Sequence, residues 1–100
     1  MPTLHLELYV VRHSPNSQTA IANIREVCEA HFAGHCTLEI IDIVETPWAA
    51  EAANILVTPT LIRRRPLPVR RIIGDLSERQ IVLDHLGFEG PLPPFPQETP

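Results

Sequence analysis

The sequence predicts an α/β fold: one four-stranded mixed sheet with helices on its faces, in the order βαβαββα. Three observations predict it. Leu4, Leu6, Leu8 and Val10 alternate with mostly polar neighbours, the period of a strand. A helical apolar stripe follows, separated from that strand by turn formers. Two further strand-like runs flank Pro66-Leu67-Pro68, where prolines, which cannot donate to a sheet ladder, force a turn.

The first strand covers 4–11. The segment Arg12-His13-Ser14-Pro15-Asn16-Ser17 breaks its period and is rich in turn residues. A helix is expected from about Ser17 to Ala33, with Ile21, Ile24, Cys28, His31 and Phe32 on one stripe. Ser14 or Ser17 can cap it, and Gly34 suits the left-handed position after its end. Residues 37–44 are β-branched and apolar on both faces, which predicts a strand buried inside the sheet. The intervening helix is long enough to cross over between parallel strands.

Thr46-Pro47 reads as a hydroxyl cap followed by proline at the first helical position, leading into the alanine-rich 49–53 stretch. Thr58-Pro59-Thr60-Leu61-Ile62 turns the chain into a third strand, and Val69–Ile73 supplies a fourth, ended by Gly74-Asp75. Ser77 and Gln80 have capping-box spacing for a last helix reaching about Leu86, where Gly87 stops it. The reading is one domain over 1–87 and an extended or disordered tail over 88–100, which holds five of the eleven prolines.

The totals exclude several classes. Two cysteines are too few for a disulfide scaffold. No apolar run approaches the ~18 residues of a membrane span, and no basic start precedes a long apolar core. The expectation is a cytoplasmic protein with no membrane partner. A net charge of −4 argues against nucleic acid. All eight basic residues are arginines, and five of them fall together: Arg63, Arg64, Arg65, Arg70 and Arg71. Two readings stand for these five: a solvated strand face, or a docking patch for an acidic partner, since guanidinium forks suit carboxylates and phosphates.

The element order is that of thioredoxins, whose redox pair sits after the first strand at the start of the first helix, where the helix dipole favours a thiolate. Here that position reads Ser14-Pro15-Asn16-Ser17, with serine at both ends. A hydroxyl forms no disulfide, so thiol–disulfide exchange at this loop is excluded. A catalytic pair needs an orienting group and an oxyanion site, and His13 beside Ser14 in a loop is poor evidence for one. The run Cys28, His31, His35, Cys36 has zinc-ligand chemistry, but it straddles a helix end. The alternative is a core cysteine with histidines at a helix C-terminus, and no metal or other cofactor is expected. A Cys28–Cys36 disulfide is not expected in a reducing compartment. Pro59, Pro66 and Pro68 lie within ten residues and are candidate cis-proline switches, or else ordinary trans prolines in turns.

Four segments carry a family resemblance: Leu6-Glu7-Leu8-Tyr9-Val10 with Ser14-Pro15-Asn16-Ser17; Ile41-Asp42-Ile43; Ile55-Leu56-Val57-Thr58-Pro59-Thr60-Leu61; and Pro66-Leu67-Pro68-Val69-Arg70-Arg71-Ile72-Ile73-Gly74-Asp75-Leu76-Ser77. Together they resemble the KaiB circadian-clock family from residue 4 to about 87. The resemblance implies a non-enzymatic regulator that binds KaiC, a hexameric RecA-like ATPase that autophosphorylates, and slows or resets its cycle. It also implies fold switching between a tetramer of order βαββααβ and a thioredoxin-like monomer, with the half after about residue 50 rebuilt. KaiA-like and histidine-kinase partners belong to the same setting. The input domain of the kinase SasA is similar in fold, so a sensor or adaptor acting on such a kinase, or in stress signalling, is the alternative function. Leu67 inside the proline triple, the basic Arg63–Arg65 run, Arg12 or His13 in place of a glycine, and a proline-rich rather than acidic tail suit a divergent paralogue. The alanine-rich 49–53 stretch and the Ser77/Gln80 cap favour helices where the thioredoxin order needs them, so that form is expected to dominate.

Overall fold

A computed structural model describes residues 3–87, and the proline-rich segment expected over 88–100 lies outside the described residues. The order is β1 (Leu4–Val10), α1 (Pro15–His31), β2 (Cys36–Asp42), α2 (Pro47–Ala52), β3 (Thr60–Arg65), β4 (Arg70–Ile73) and α3 (Arg79–Leu86). This is the thioredoxin order, with a helix, not a strand, at the end. The sheet runs β2-β1-β3-β4. β1 pairs in parallel with β2, from Leu4↔Cys36 to Val10↔Asp42, and antiparallel with β3, from Tyr9↔Thr60 to His5↔Arg65 with an irregularity between His5 and Leu6. A tight turn suffices between antiparallel β3 and β4, whereas the parallel pair needs α1 as its crossover.

Strand alternation divides the core in two. Leu4, Leu6, Leu8 and Val10 meet Ala20, Ile24 and Val27 of α1, Phe32, and Val82, Leu83 and Leu86 of α3. Each such large side chain, fully buried, contributes about 1.5–3 kcal/mol. Tyr9 and Ile62 point the other way and pack with Ala53 at the end of α2, flanked by Ile41, Ile43, Ala49 and Ile55. The sheet is therefore covered by α1 and α3 on one face and by short α2 on the other.

Four details differ from the sequence expectation. β2 is an edge strand, not an inner one; its two apolar faces serve the two clusters, Leu38 and Ile40 on one and Ile41 and Ile43 on the other. The buried stripe of α1 is Ser17, Ala20, Ile24 and Val27, with Ile21 and Cys28 at its margin, because small residues let the helix approach the sheet. Thr46 holds the cap position of α2 with Pro47 after it, but its hydroxyl makes no cap bond and donates instead to the carbonyl oxygen of Asp42 at 3.0 Å. The Ser77/Gln80 box does not form either. Asp75 Oδ1 accepts the Ser77 N–H at 3.1 Å, the cap position falls on Glu78, and Gln80 instead donates to Asp84 Oδ1 at 3.2 Å. Gly87 does close α3 in the left-handed conformation, φ 77°.

Candidate functional site

The loop after β1 is where a thioredoxin keeps its thiols, and here its serines hold the backbone. α1 begins at Pro15, so Ser14 is the cap: its Oγ accepts the Ser17 N–H at 3.2 Å. Ser17 is fully buried, and its Oγ accepts the Val11 N–H at 3.1 Å. Gln18 adds a side-chain bond to the Arg12 carbonyl oxygen. Both hydroxyls thus close a turn, and among the described residues neither is hydrogen-bonded to a histidine or a carboxylate. Tyr9↔Thr60 pairing puts Pro59 at the same sheet end as this loop, with its peptide bond cis. The bonds before Pro66 and Pro68 are also cis and form the β3–β4 turn.

The sheet splits the five clustered arginines between its faces. Arg63 shares a face with Leu61 and reaches toward α3: Nη1 donates to the His85 carbonyl oxygen at 2.9 Å and Nη2 to that of Pro68 at 2.7 Å. It is 7% exposed, and its Nε finds no acceptor among the described residues. Burial pushes its pKa down, and the nearby charge of Arg70 adds to this. Arg64 turns to the α2 face, where its Nε meets Glu7 Oε1 at 2.8 Å, the same oxygen that accepts the Tyr9 hydroxyl at 2.9 Å. Arg71, opposite Ile62, donates to the carbonyl oxygens of Ala53 and Asn54 past the end of α2. Arg65 and Arg70 are exposed, at the two ends of the turn that also exposes Leu67 and Val69.

A second feature escaped the sequence reading. Trp48, Val57 and Ile73 are 68%, 49% and 67% exposed, and the register puts Ile73 on the α2 side of β4. The signal available was a lone tryptophan in a short alanine-rich helix. Trp48 lines one end of a shallow groove with Arg12, Glu39, Ile41, Asp42 and Ala49.

The metal-type run resolves differently from its spacing. Cys28 and Cys36 bring their sulfurs to 2.8 Å as free thiols, but no third histidine or carboxylate among the described residues joins them as a ligand set. The group that does converge is His5, Glu7 and Glu39, on neighbouring strands. Its chemistry would suit a divalent cation, but Arg64 already neutralises Glu7 there. No helix among the described residues is long and apolar enough to cross a membrane.

Fold and site together define a thioredoxin-like protein whose redox loop has become a structural turn. The comparisons agree. Among solved structures, the N-terminal domain of Synechococcus elongatus SasA superposes with TM-score 0.69 at 21% identity, covering 92% of this chain and 90% of that one. Chloroplastic thioredoxin z superposes with TM-score 0.71 at 20% identity, covering 85% and 76%. The family match is specific: the KaiB domain spans residues 7–88. The circadian clock oscillator protein KaiB of Prochlorococcus marinus is 49% identical over 81 residues, 81% of this chain and 76% of its own length. That of Synechococcus elongatus is 48% identical over the same share, covering 79% of its length. This chain belongs to the KaiB family.

Proposed function

We propose that this chain is a non-enzymatic clock regulator that docks on a KaiC-type RecA-like ATPase and modulates its cycle. The observation that carries the reading is the KaiB match over residues 7–88, combined with a redox loop whose serines are spent on backbone bonds. What remains for function is surface. The β3–β4 turn offers Arg65 and Arg70 beside exposed Leu67 and Val69, a mixed cationic and apolar tip suited to an acidic rim around an apolar contact. Arg63 ties down that tip through its bond to the Pro68 carbonyl oxygen, while Arg64 and Arg71 are engaged elsewhere, with Glu7 and with the carbonyls that follow α2. Localisation in the cytoplasm follows from the same reading, because the ATPase partner is cytoplasmic chemistry fed by ATP.

The fold described here is the binding-competent one in this proposal, and rearrangement of the half after about residue 50 supplies the inactive, oligomeric state. Size-exclusion co-elution with a KaiC-type hexamer in ATP tests the docking. The wild type co-elutes; R65E/R70E weakens association at least about tenfold with unchanged melting. No co-elution in any nucleotide state overturns the proposal, and unaltered binding by R65E/R70E removes the tip from it. The fold shared with the SasA domain supports a second reading, an adaptor acting in trans on a histidine kinase. Co-elution with such a kinase and not with the ATPase would select it.

A further inference from the structure

The fold brings Cys28 and Cys36 together in a place with no counterpart in the redox loop. Cys28 lies in the last turns of α1 and Cys36 opens β2, paired with Leu4. Ser14 follows the other end of β1, about 20 Å away along a strand of this length. The two sulfurs are 2.8 Å apart, so joining them requires a shift of under about 1 Å to reach bonding distance. The intervening turn is already closed. Phe32 N–H donates to the Cys28 carbonyl oxygen at 2.9 Å, His35 N–H to that of Phe32 at 2.7 Å, and Leu4 N–H to that of His35 at 2.8 Å. Both cysteines are half-buried, neither sealed in the core nor fully open.

We propose that Cys28 and Cys36 form a reversible intramolecular disulfide by exchange with a low-molecular-weight disulfide of the glutathione type. The roles are asymmetric. The hydrogen bond from Cys28 lowers the Cys36 thiol's pKa, while the same bond, then burial, raises that of Cys28. Cys28 also sits near the carboxyl end of α1, where the dipole opposes a thiolate. Cys36 therefore attacks first. Its thiolate bonds to one sulfur of the oxidised small molecule, whose S–S bond breaks and releases one thiolate. Cys28 then loses its proton to solvent and attacks the Cys36 sulfur, expelling the second small thiolate. The protein has lost two protons and two electrons; one disulfide of the oxidant has become two thiols. A reducing compartment holds the pair open, and an oxidising shift ties the end of α1 to the sheet.

The test equilibrates the full chain in stepped ratios of oxidised to reduced glutathione, quenches with acid, alkylates and reads intact mass. The expected product is lighter by two hydrogens, unalkylated at both sites, and returns to the dithiol in excess reduced glutathione. It melts roughly 10 °C higher than the dithiol, because the bond restricts the unfolded chain. C28S, which keeps Cys36 and a serine hydroxyl able to donate to it as Cys28 did, gains a glutathione adduct about tenfold faster than C36S, which keeps Cys28. Accumulation of the mixed disulfide or of linked dimers in the wild type overturns the proposal, as does a dithiol that survives oxidised glutathione alone. This outcome is independent of whether any ATPase binds.

Discussion

The guanidinium of Arg63, on β3, donates to the carbonyl oxygen of His85 in the last turn of α3. That carbonyl is one of the helix-end acceptors with no partner inside the helix. α3 has only eight residues, too few to hold itself together in water, so it depends on contacts like this one. The second bond, to Pro68, ties the same cation to the β3–β4 turn. R63A removes both bonds and the buried side chain that makes them, and is expected to cost about 2–3 kcal/mol. R65A, two residues along and exposed, is expected to change stability by less than about 0.5 kcal/mol. Urea midpoints measure both; equal midpoints for the two variants contradict the assignment.

The serines of the degenerate redox loop make a second contrast. S17A takes away the acceptor for the half-buried Val11 N–H and leaves a small void at a fully buried position, a loss of about 1–2 kcal/mol. S14A removes a helix cap, typically about 1 kcal/mol. Neither substitution should alter association with a partner when measured below the transition, because neither hydroxyl carries chemistry. Chemical denaturation and co-elution on the same samples separate the two effects.

Much of the fold could be read from residue spacing, and the exceptions have physical causes. The alternation of Leu4 to Val10 has a single reading, since only a strand buries every second residue. The position of β2 is not legible because an edge strand with apolar residues on both faces has the composition of an inner one; Leu38 and Ile41 serve different clusters. Ser77 and Gln80 have the spacing of a capping box, but Asp75 captures the Ser77 N–H first. The arginine run looked uniform because composition is blind to alternation. Only the register shows Arg63 turned toward α3 and Arg64 toward Glu7. Glu7 itself gave no sign in the sequence, since its partner stands 57 residues away.

Asp42 and Arg12 test how much of an ion pair is charge and how much is hydrogen bonding. Asp42 is nearly buried at the end of β2, and its Oδ1 accepts the Val44 N–H at 2.9 Å, shaping the turn into α2. Arg12 approaches its other oxygen at 3.6 Å, but from a half-exposed position. D42A should therefore cost about 1–3 kcal/mol through the lost turn bond. R12A should cost at most about 0.5 kcal/mol, as exposed pairs do. Raising the salt concentration should weaken only the small Arg12 contribution. A thermal-melt series across the two variants reads the difference; a larger loss for R12A would mean that charge, not the turn bond, dominates.

Tyr9 is the chain's one tyrosine, so its titration can be followed without interference from another phenol. It is buried beneath α2, and its hydroxyl donates to Glu7. Burial first, and that bond to a carboxylate second, raise its pKa above the ordinary 10.0, while Arg64 opposes the shift. The sign of the stability effect follows. Below pH 10 both folded and unfolded chains keep the proton, and the stabilisation is complete. Above that the unfolded chain ionises first, so stability falls until the folded phenol also titrates. The tyrosinate absorbance of the native protein should therefore appear above the range of the unfolded chain in urea. Y9F should keep the packing, lose the Glu7 bond, and remove this alkaline loss. R64M should push the native titration higher still, since it removes the charge that favours the phenolate. A native titration that coincides with the unfolded one would show that the hydroxyl is open to water and that Glu7 serves Arg64 alone.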